Sequence, residues 1–208
     1  NTLNDLNYAT NGMMIHASAF GVYGNYSFFP QDDKSLKQEQ KGVNWFQFAL
    51  NYERYWSLNR SISLGIEGNV EVSTRRLLDN YAATMVMLPV FHPTASTYNS
   101  FNSSLRAPQY VTVGVKPVWK ITNMLQLRGE FHGFMPWRKV LPDIPADVNR
   151  ATMVKAKYGD WFAYPVFFGD LAAVYALPFA HLTAYVNYCN TPGTKWNLGL
   201  SFGLFFLA

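Results

Sequence analysis

The chain has 208 residues, 17% of them aromatic and only 14% charged, with a formal net charge of +4 and a single cysteine. The charged share is well below the roughly 25% of an ordinary soluble domain, and the mean hydropathy is close to neutral, which suits neither a helical membrane protein nor a polar shell around a core. One cysteine excludes an internal disulfide or a cysteine metal site, and basic residues without a block of their own leave no footprint for nucleic acid.

The opening Asn-Thr-Leu-Asn-Asp has no basic and apolar leader, and the chain is expected to be a piece of something longer. Residues up to Gly12 read as a polar loop. Between 17 and 29, bulky Phe20, Val22, Tyr26 and Phe28 alternate with Ala17, Ala19, Gly21, Asn25 and Ser27, which predicts a first strand. The charged, lysine-rich stretch 30–42 reads as a solvated connection. Over 43–56, Phe46, Phe48, Leu50 and Tyr52 take one face, and Gln47, Ala49, Asn51 and Glu53 the other.

After a short turn at 58–61 comes the cleanest alternation, Ile62, Leu64, Ile66, Val70 and Val72 against Ser63, Glu67, Asn69, Glu71 and Ser73. Glu67 and Glu71 require that their face meets water or a polar interior. Strands of ten or more residues exceed the usual five or six and match what a tilted bilayer crossing needs.

Residues 80–91 are apolar but alternate poorly and are read as a strand. The Ser-, Thr-, Asn- and Pro-rich stretch 92–108 is read as a connection. Over 109–120, Val111, Val113, Val115, Pro117 and Trp119 point outward, and Thr112, Gly114, Lys116 and Lys120 inward. A turn at Thr122-Asn123 leads to Leu125, Leu127, Phe131, Met135 and Trp137 outward, with Gln126, Arg128, Glu130 and His132 inward. The stretch 141–159 reads as the longest loop.

From 171 to 194 there is no acidic or basic residue, a length that would suit a membrane helix. Pro178 near its middle and the alternation of Leu182, Ala184, Val186 and Tyr188 with His181, Thr183, Tyr185 and Asn187 predict a hairpin instead. Cys189 within it is an apolar filler. The last stretch sets Trp196, Leu198, Leu200, Phe202, Leu204 and Phe206 against Asn197, Gly199, Ser201 and Gly203, a strand with one apolar face.

Nine strands result. Bacterial barrels alternate short turns with long loops, and an extra short strand near 97–101, after a turn at Pro93-Thr94, restores that alternation with ten. The expected fold class is all-β, a transmembrane antiparallel β-barrel occupying residues 1–208 as one domain. A soluble β-sandwich is the competing class.

There is no nucleophile elbow, phosphate loop, dinucleotide turn or zincin motif, and His16, His92, His132 and His181 are scattered. No catalytic residue, metal or cofactor is expected. Arg128, Glu130 and His132 lie at i, i+2 and i+4 on one strand and therefore share a side. Because a buried charge is costly unless paired, Arg106 reaching Glu130 from the preceding loop is one reading, and a simply water-filled charged interior is the other. Asp170 is a second candidate partner.

The segments Pro89-Val-Phe-His-Pro-Thr, Ser104-Leu-Arg-Ala-Pro-Gln-Tyr110, Gly114-Val-Lys-Pro-Val-Trp-Lys-Ile, Leu125-Gln-Leu-Arg-Gly-Glu-Phe and Val174-Tyr-Ala-Leu-Pro, together with Asn80-Tyr-Ala-Ala-Thr, carry a resemblance. Over residues 12–208 the chain resembles the C-terminal surface-antigen barrel of Bacteroidetes-type patatin-like phospholipases, which is similar in turn to the sixteen-stranded barrels of outer-membrane insertases. The resemblance implies the last nine or ten strands of such a barrel. In the superfamily a loop carrying Arg-Gly-aromatic folds into the lumen and its Arg meets an acidic strand residue. Leu105-Arg106-Ala107 looks like a degenerate form lacking the Gly, with Glu130 as counterpart.

The tail looks like the terminal signal read by the barrel assembly machinery, on Asn197, Gly199, Phe202 and Leu204. The implied function is an outer-membrane module, in a Gram-negative cell, that anchors and exports or displays a patatin-like acyl hydrolase domain. That domain's Ser-Asp dyad is not in this chain, so the chain itself is not expected to be an enzyme. Expected partners are outer-membrane lipid, the assembly machinery and subunits of a larger outer-membrane complex. A stand-alone pore or structural subunit is the alternative, and a lipid-acting enzyme embedded in the barrel is a further one. Phe46, Trp119, Trp137, Trp196 and Phe206 are the expected lipid-facing aromatics.

Overall fold

A computed structural model describes residues 1–5, 8–28, 38–94, 97–98, 101–144, 154–177, 180–192 and 195–204. Its strands are β1 (Gly12–Phe28), β2 (Gln38–Ser57), β3 (Ile62–Ser73), β4 (Gln109–Lys120), β5 (Leu125–Pro136), β6 (Arg138–Asp143), β7 (Lys155–Trp161), β8 (Val166–Ala176), β9 (Ala180–Cys189) and β10 (Trp196–Leu204), with one helix, α1 (Tyr81–Met87). Eight strands form one sheet in the order β1-β2-β3-β4-β5-β8-β9-β10, and β6 pairs with β7 in a separate ribbon. Every pairing is antiparallel. The all-β expectation holds. Closure does not follow from it: among the described residues β1 and β10 do not pair, and the sheet has two edges.

The large sheet curls. Within the segment before β1, Tyr8 Oη lies 3.0 Å from Thr183 Oγ1 on β9, the Ala9 carbonyl accepts from Arg128 on β5, and the Thr10 carbonyl accepts from Ser57 on β2. Residues 8 to 10 span about 7 Å of backbone, whereas β2 and β9 would lie about 24 Å apart in a flat sheet. Only a strongly curved sheet lets one short strap touch all three. The strap is held at its root by a paired turn, in which the Thr2 amide donates to the Met13 carbonyl and Asn4 Oδ1 accepts from the Thr10 and Asn11 amides. Gly12 enters β1 at φ +104°, with the Thr2 backbone where a Cβ would stand, so only glycine fits.

On β3, β4, β5, β8 and β9 strand sidedness follows the predicted alternation, whereas on β1 the bulky Phe20 and Val22 share the side of Gln47 and Asn51, and the small Ala17, Ala19 and Gly21 share that of Leu50, Phe48 and Phe46. On β4, Val113 is 66% exposed and Trp119 54%, whereas Thr112 and Lys116 are buried. On β5, Leu127 and Phe131 are exposed and Arg128 and His132 buried. The bare outer face is apolar, and the covered inner face carries the charges. This is the reverse of a soluble sheet.

Four local expectations change. The 80–91 stretch is not a strand. Asn80 Oδ1 accepts from the Ala83 amide at 3.0 Å and caps α1. Ala and Met favour the helix, and Pro89 ends it. Its buried residues Thr84 and Met85, with Tyr81 and Leu88, recur at helical spacing, and Met85 and Leu88 pack beside Val140 and Tyr158 of the β6/β7 ribbon. Among the described residues near 97–101 no strand forms either: Thr97 and Tyr98 make a 3-10 turn. The predicted loop 141–159 is edged by β6 and β7, which prolong the β5/β8 pair beyond a corner at Phe162. Finally, β2 begins at Gln38, inside the stretch predicted as a charged connection.

The alternation of connection lengths survives for a different reason. β1 ends and β2 begins at the same rim as the 74–108 and 137–165 connections start and end, and the turns 58–61 and 121–124 and the β8/β9 junction lie at the other. Removing the 80–91 strand restores the order that the extra strand was invoked to supply. The β8/β9 hairpin forms as predicted, closed by the Leu177 amide on the Ala180 carbonyl, while Pro178 lies outside the described residues. Among those residues no helix is long and apolar enough to cross a membrane.

Small residues opposite rings lock the register. Gly65 faces Tyr55, Gly114 faces His132, Gly199 faces Tyr185 and Gly203 faces His181, each directly across a strand pair, and each ring lies where a Cβ would be. Gly114→Val should therefore destabilise the fold by about 2 kcal/mol through overpacking against the imidazole. Gly21→Val, with nothing within 4 Å, is the matched control in a urea titration and should be close to neutral.

Candidate functional site

The inner face is covered from both rims. From one comes the strap ending in Tyr8-Ala9-Thr10. From the other comes the 74–108 connection, whose ends are zipped by Val90 bridging Arg106 and by the Phe91 amide on the Leu105 carbonyl. Its tip drives Phe91 into β4 and β5, where it stacks on Phe134 at 6.1 Å and meets His132 edge-on at 5.6 Å. Leu105, Ala107, Tyr110, Val166, Phe168 and Cys189 complete this cluster. Cys189 is the apolar filler expected, and it accepts a contact from Asn102 Nδ2 at 3.7 Å.

Between strap and connection lies a cavity of about 680 Å³. Its floor is a charge network centred on Lys116. Glu53 and Glu67 stand directly opposite each other on β2 and β3, a like-charge arrangement that costs stability unless a cation intervenes. Lys116 Nζ is that cation, 2.8 Å from Glu53 Oε1, 2.5 Å from Glu67 Oε2 and 3.8 Å from Glu130 Oε2. Asn69 Nδ2 donates to Glu67 and to Thr112 Oγ1, and Asn51 donates to Asn69.

Arg128 is 5% exposed and donates to neutral acceptors: Ala9 O at 3.1 Å, Gln126 Oε1 at 3.3 Å and Tyr55 Oη at 3.4 Å. It thus fastens the strap. Burial raises the Tyr8 phenol above its ordinary range, the Thr183 hydrogen bond and nearby Arg128 opposing it. Burial, with Arg106 nearby, lowers the His92 imidazole at the cavity roof below its ordinary range, a backbone hydrogen bond at Thr97 opposing it.

Of the residues singled out in sequence, Arg128, Glu130, His132 and Asp170 share the inner face. His132 Nε2 lies 3.5 Å from Glu130 Oε2, and Asp170 is directly opposite Glu130 across β5 and β8. Arg106 does not join them. Its Nη1 donates to the carbonyls of Met85, Val86 and Leu88 at 3.2–3.4 Å, closing the C-terminus of α1, and its guanidinium covers the Phe101 ring. The expected Arg106–Glu130 pair is replaced by Lys116–Glu130. The helix that sequence reading missed supplies free carbonyls nearer to Arg106 than any acid.

Lys116, Glu53 and Glu67 were each legible as inward-facing but not as partners, because their meeting depends on register. Asn197, Gly199, Phe202 and Leu204 lie on β10 at the sheet edge, with Phe202 and Leu204 on the bare face. Phe46, Trp119 and Trp196 are exposed on that face as expected, Trp137 is half-buried, and Phe206 lies outside the described residues. Among the described residues no three of His, Cys, Asp or Glu converge as a metal site. Comparison with protein-family models, curated proteins and solved structures returns no match.

Proposed function

We propose that the chain is part of the wall of an outer-membrane β-barrel that anchors an acyl-hydrolase domain carried elsewhere. The observation that carries the membrane reading is the inverted sidedness of the sheet. Val113 is 66% exposed, Phe167 59% and Leu171 57%, while Lys116, Arg128 and Asp170 are buried on the other face. A contiguous apolar face of this extent needs a non-aqueous neighbour. Strands β3, β4, β5, β8, β9 and β10, of 9 to 12 residues, have the length of a tilted crossing.

Lipid would cover the outer face. Because unpaired backbone cannot lie in hydrocarbon, β1 and β10 need strand partners, either further strands of a sixteen-stranded barrel or each other. The eight-strand order makes β1 and β10 antiparallel, so a self-contained small barrel is the second reading. The β10 pattern supports delivery by the barrel assembly machinery. The link to a patatin-like hydrolase rests on the sequence resemblance alone, and catalysis would belong to that domain.

The test is extraction from membranes followed by gel electrophoresis with and without boiling. A barrel is expected to resist carbonate, dissolve only in detergent and migrate faster unboiled. Release by carbonate, with a single band, would refute it.

A further inference from the structure

We infer that the cavity between the strap and the 74–108 connection binds a small organic cation, an amine or guanidine. The inference rests on the inner face being a walled interior, as proposed above. Four acids line the cavity, Glu53, Glu67, Glu130 and Asp170, against two cations, Lys116 and Arg128. Lys116 is shared among three of the carboxylates, and Arg128 spends its hydrogen bonds on neutral oxygens. The deficit of positive charge therefore falls on the fourth acid.

Asp170 is 5% exposed, and its Oδ2 has no hydrogen-bond partner among the described residues. It faces Glu130 across the strand pair, and two carboxylates so placed call for a positive charge between them. A carboxylate in this position is costly without a donor.

The shape of the site argues for an organic ion over a metal. Its acids are spread around a space of several hundred cubic ångströms and do not converge on one point. Aromatic rings complete the wall. Tyr8, Tyr55 and Tyr110 line it, and Tyr98, exposed at the roof and stacked on His92 at 4.3 Å, offers a ring face at the mouth. Rings of this kind attract ammonium and guanidinium groups, while the carboxylates fix the charge.

The experiment is isothermal titration of 1,4-diaminobutane into the full chain folded in detergent micelles at low salt. Mg²⁺ and inorganic phosphate are parallel probes, and each protein is first checked for the unboiled gel shift. Saturable one-to-one binding of the diamine is expected, weakened about tenfold by Asp170→Asn and measurably by Tyr98→Ala, with no binding of phosphate. Should Asp170→Asn lose the gel shift, Tyr98→Ala carries the comparison, since Tyr98 lies at the surface. No saturable binding, an affinity unchanged in the variants, or equal displacement of the diamine by Mg²⁺ would overturn the site. A chain that keeps the gel shift without binding refutes the cavity inference alone. A chain that carbonate releases from membranes and that shows no shift refutes both readings.

Discussion

Lys116→Met should destabilise the folded chain by about 3–5 kcal/mol, the range seen when one partner of a buried charge network is removed. The methionine fills much the same space, so the loss is electrostatic. Glu53 and Glu67 would then face each other across β2 and β3 with no cation between them, and Glu130 and Asp170 would stand opposite on the next pair. The effect should be strongly non-additive: adding Glu67→Gln to Lys116→Met removes one of the stranded charges and should recover part of the loss. A urea titration of the four proteins in detergent reads the cycle. Additive losses would mean that the carboxylates are solvated independently and that Lys116 does not couple the strands. Lys116→Arg, which keeps the charge, is the milder comparison.

Val113→Arg should cost about 2–4 kcal/mol in a bilayer or micelle if the outer face meets hydrocarbon. The same exposed position in water would tolerate the change within about 0.5 kcal/mol. Val113 is well suited to this because it lies near the middle of β4, opposite Gly68 and Gly133 on its two neighbours, so an arginine meets no steric obstacle. A graded series sharpens the result. Trp119, at the end of β4 near the short-turn rim, should accept Arg at a smaller electrostatic cost than Val113, since the penalty falls towards the interface. Folding into liposomes gives the number, and a flat profile along β4 would remove hydrocarbon from the outer face.

Val113 and Lys116 sit three residues apart on one strand and point to opposite sides. Their contrast is the physical content of the fold: one side of β4 is stabilised by paired charges and the other by an apolar environment. β3 and β5 repeat the arrangement, and the strap and the 74–108 connection close over the charged side. The strap's fastening by Arg128 and Thr183 makes Tyr8 and Ala9 a structural part of the interior.

Sequence alone separated the two sides of each strand, because side chains in a strand alternate with period two whatever the chain does elsewhere, but on β1 the register, not the pattern, decided that Phe20 and Val22 face inward. Sequence placed Val113 outside and Lys116, Arg128 and Glu130 inside, and it made 171–194 a hairpin. It read 80–91 wrongly as a strand, since a short apolar run satisfies helix and strand alike. The Asn80 cap and burial against Val140 and Tyr158 decided for the helix. That helix in turn captured Arg106 and left Glu130 to Lys116.

Register, loop placement and curvature belong to the tertiary structure. They set which inward charges meet, bring the strap to β2, β5 and β9 at once, and leave Asp170 opposite Glu130. The reason is distance along the chain: alternation is written between neighbours, whereas the meeting of Glu53, Glu67, Lys116 and Glu130 needs four strands correctly paired before any two of those groups touch.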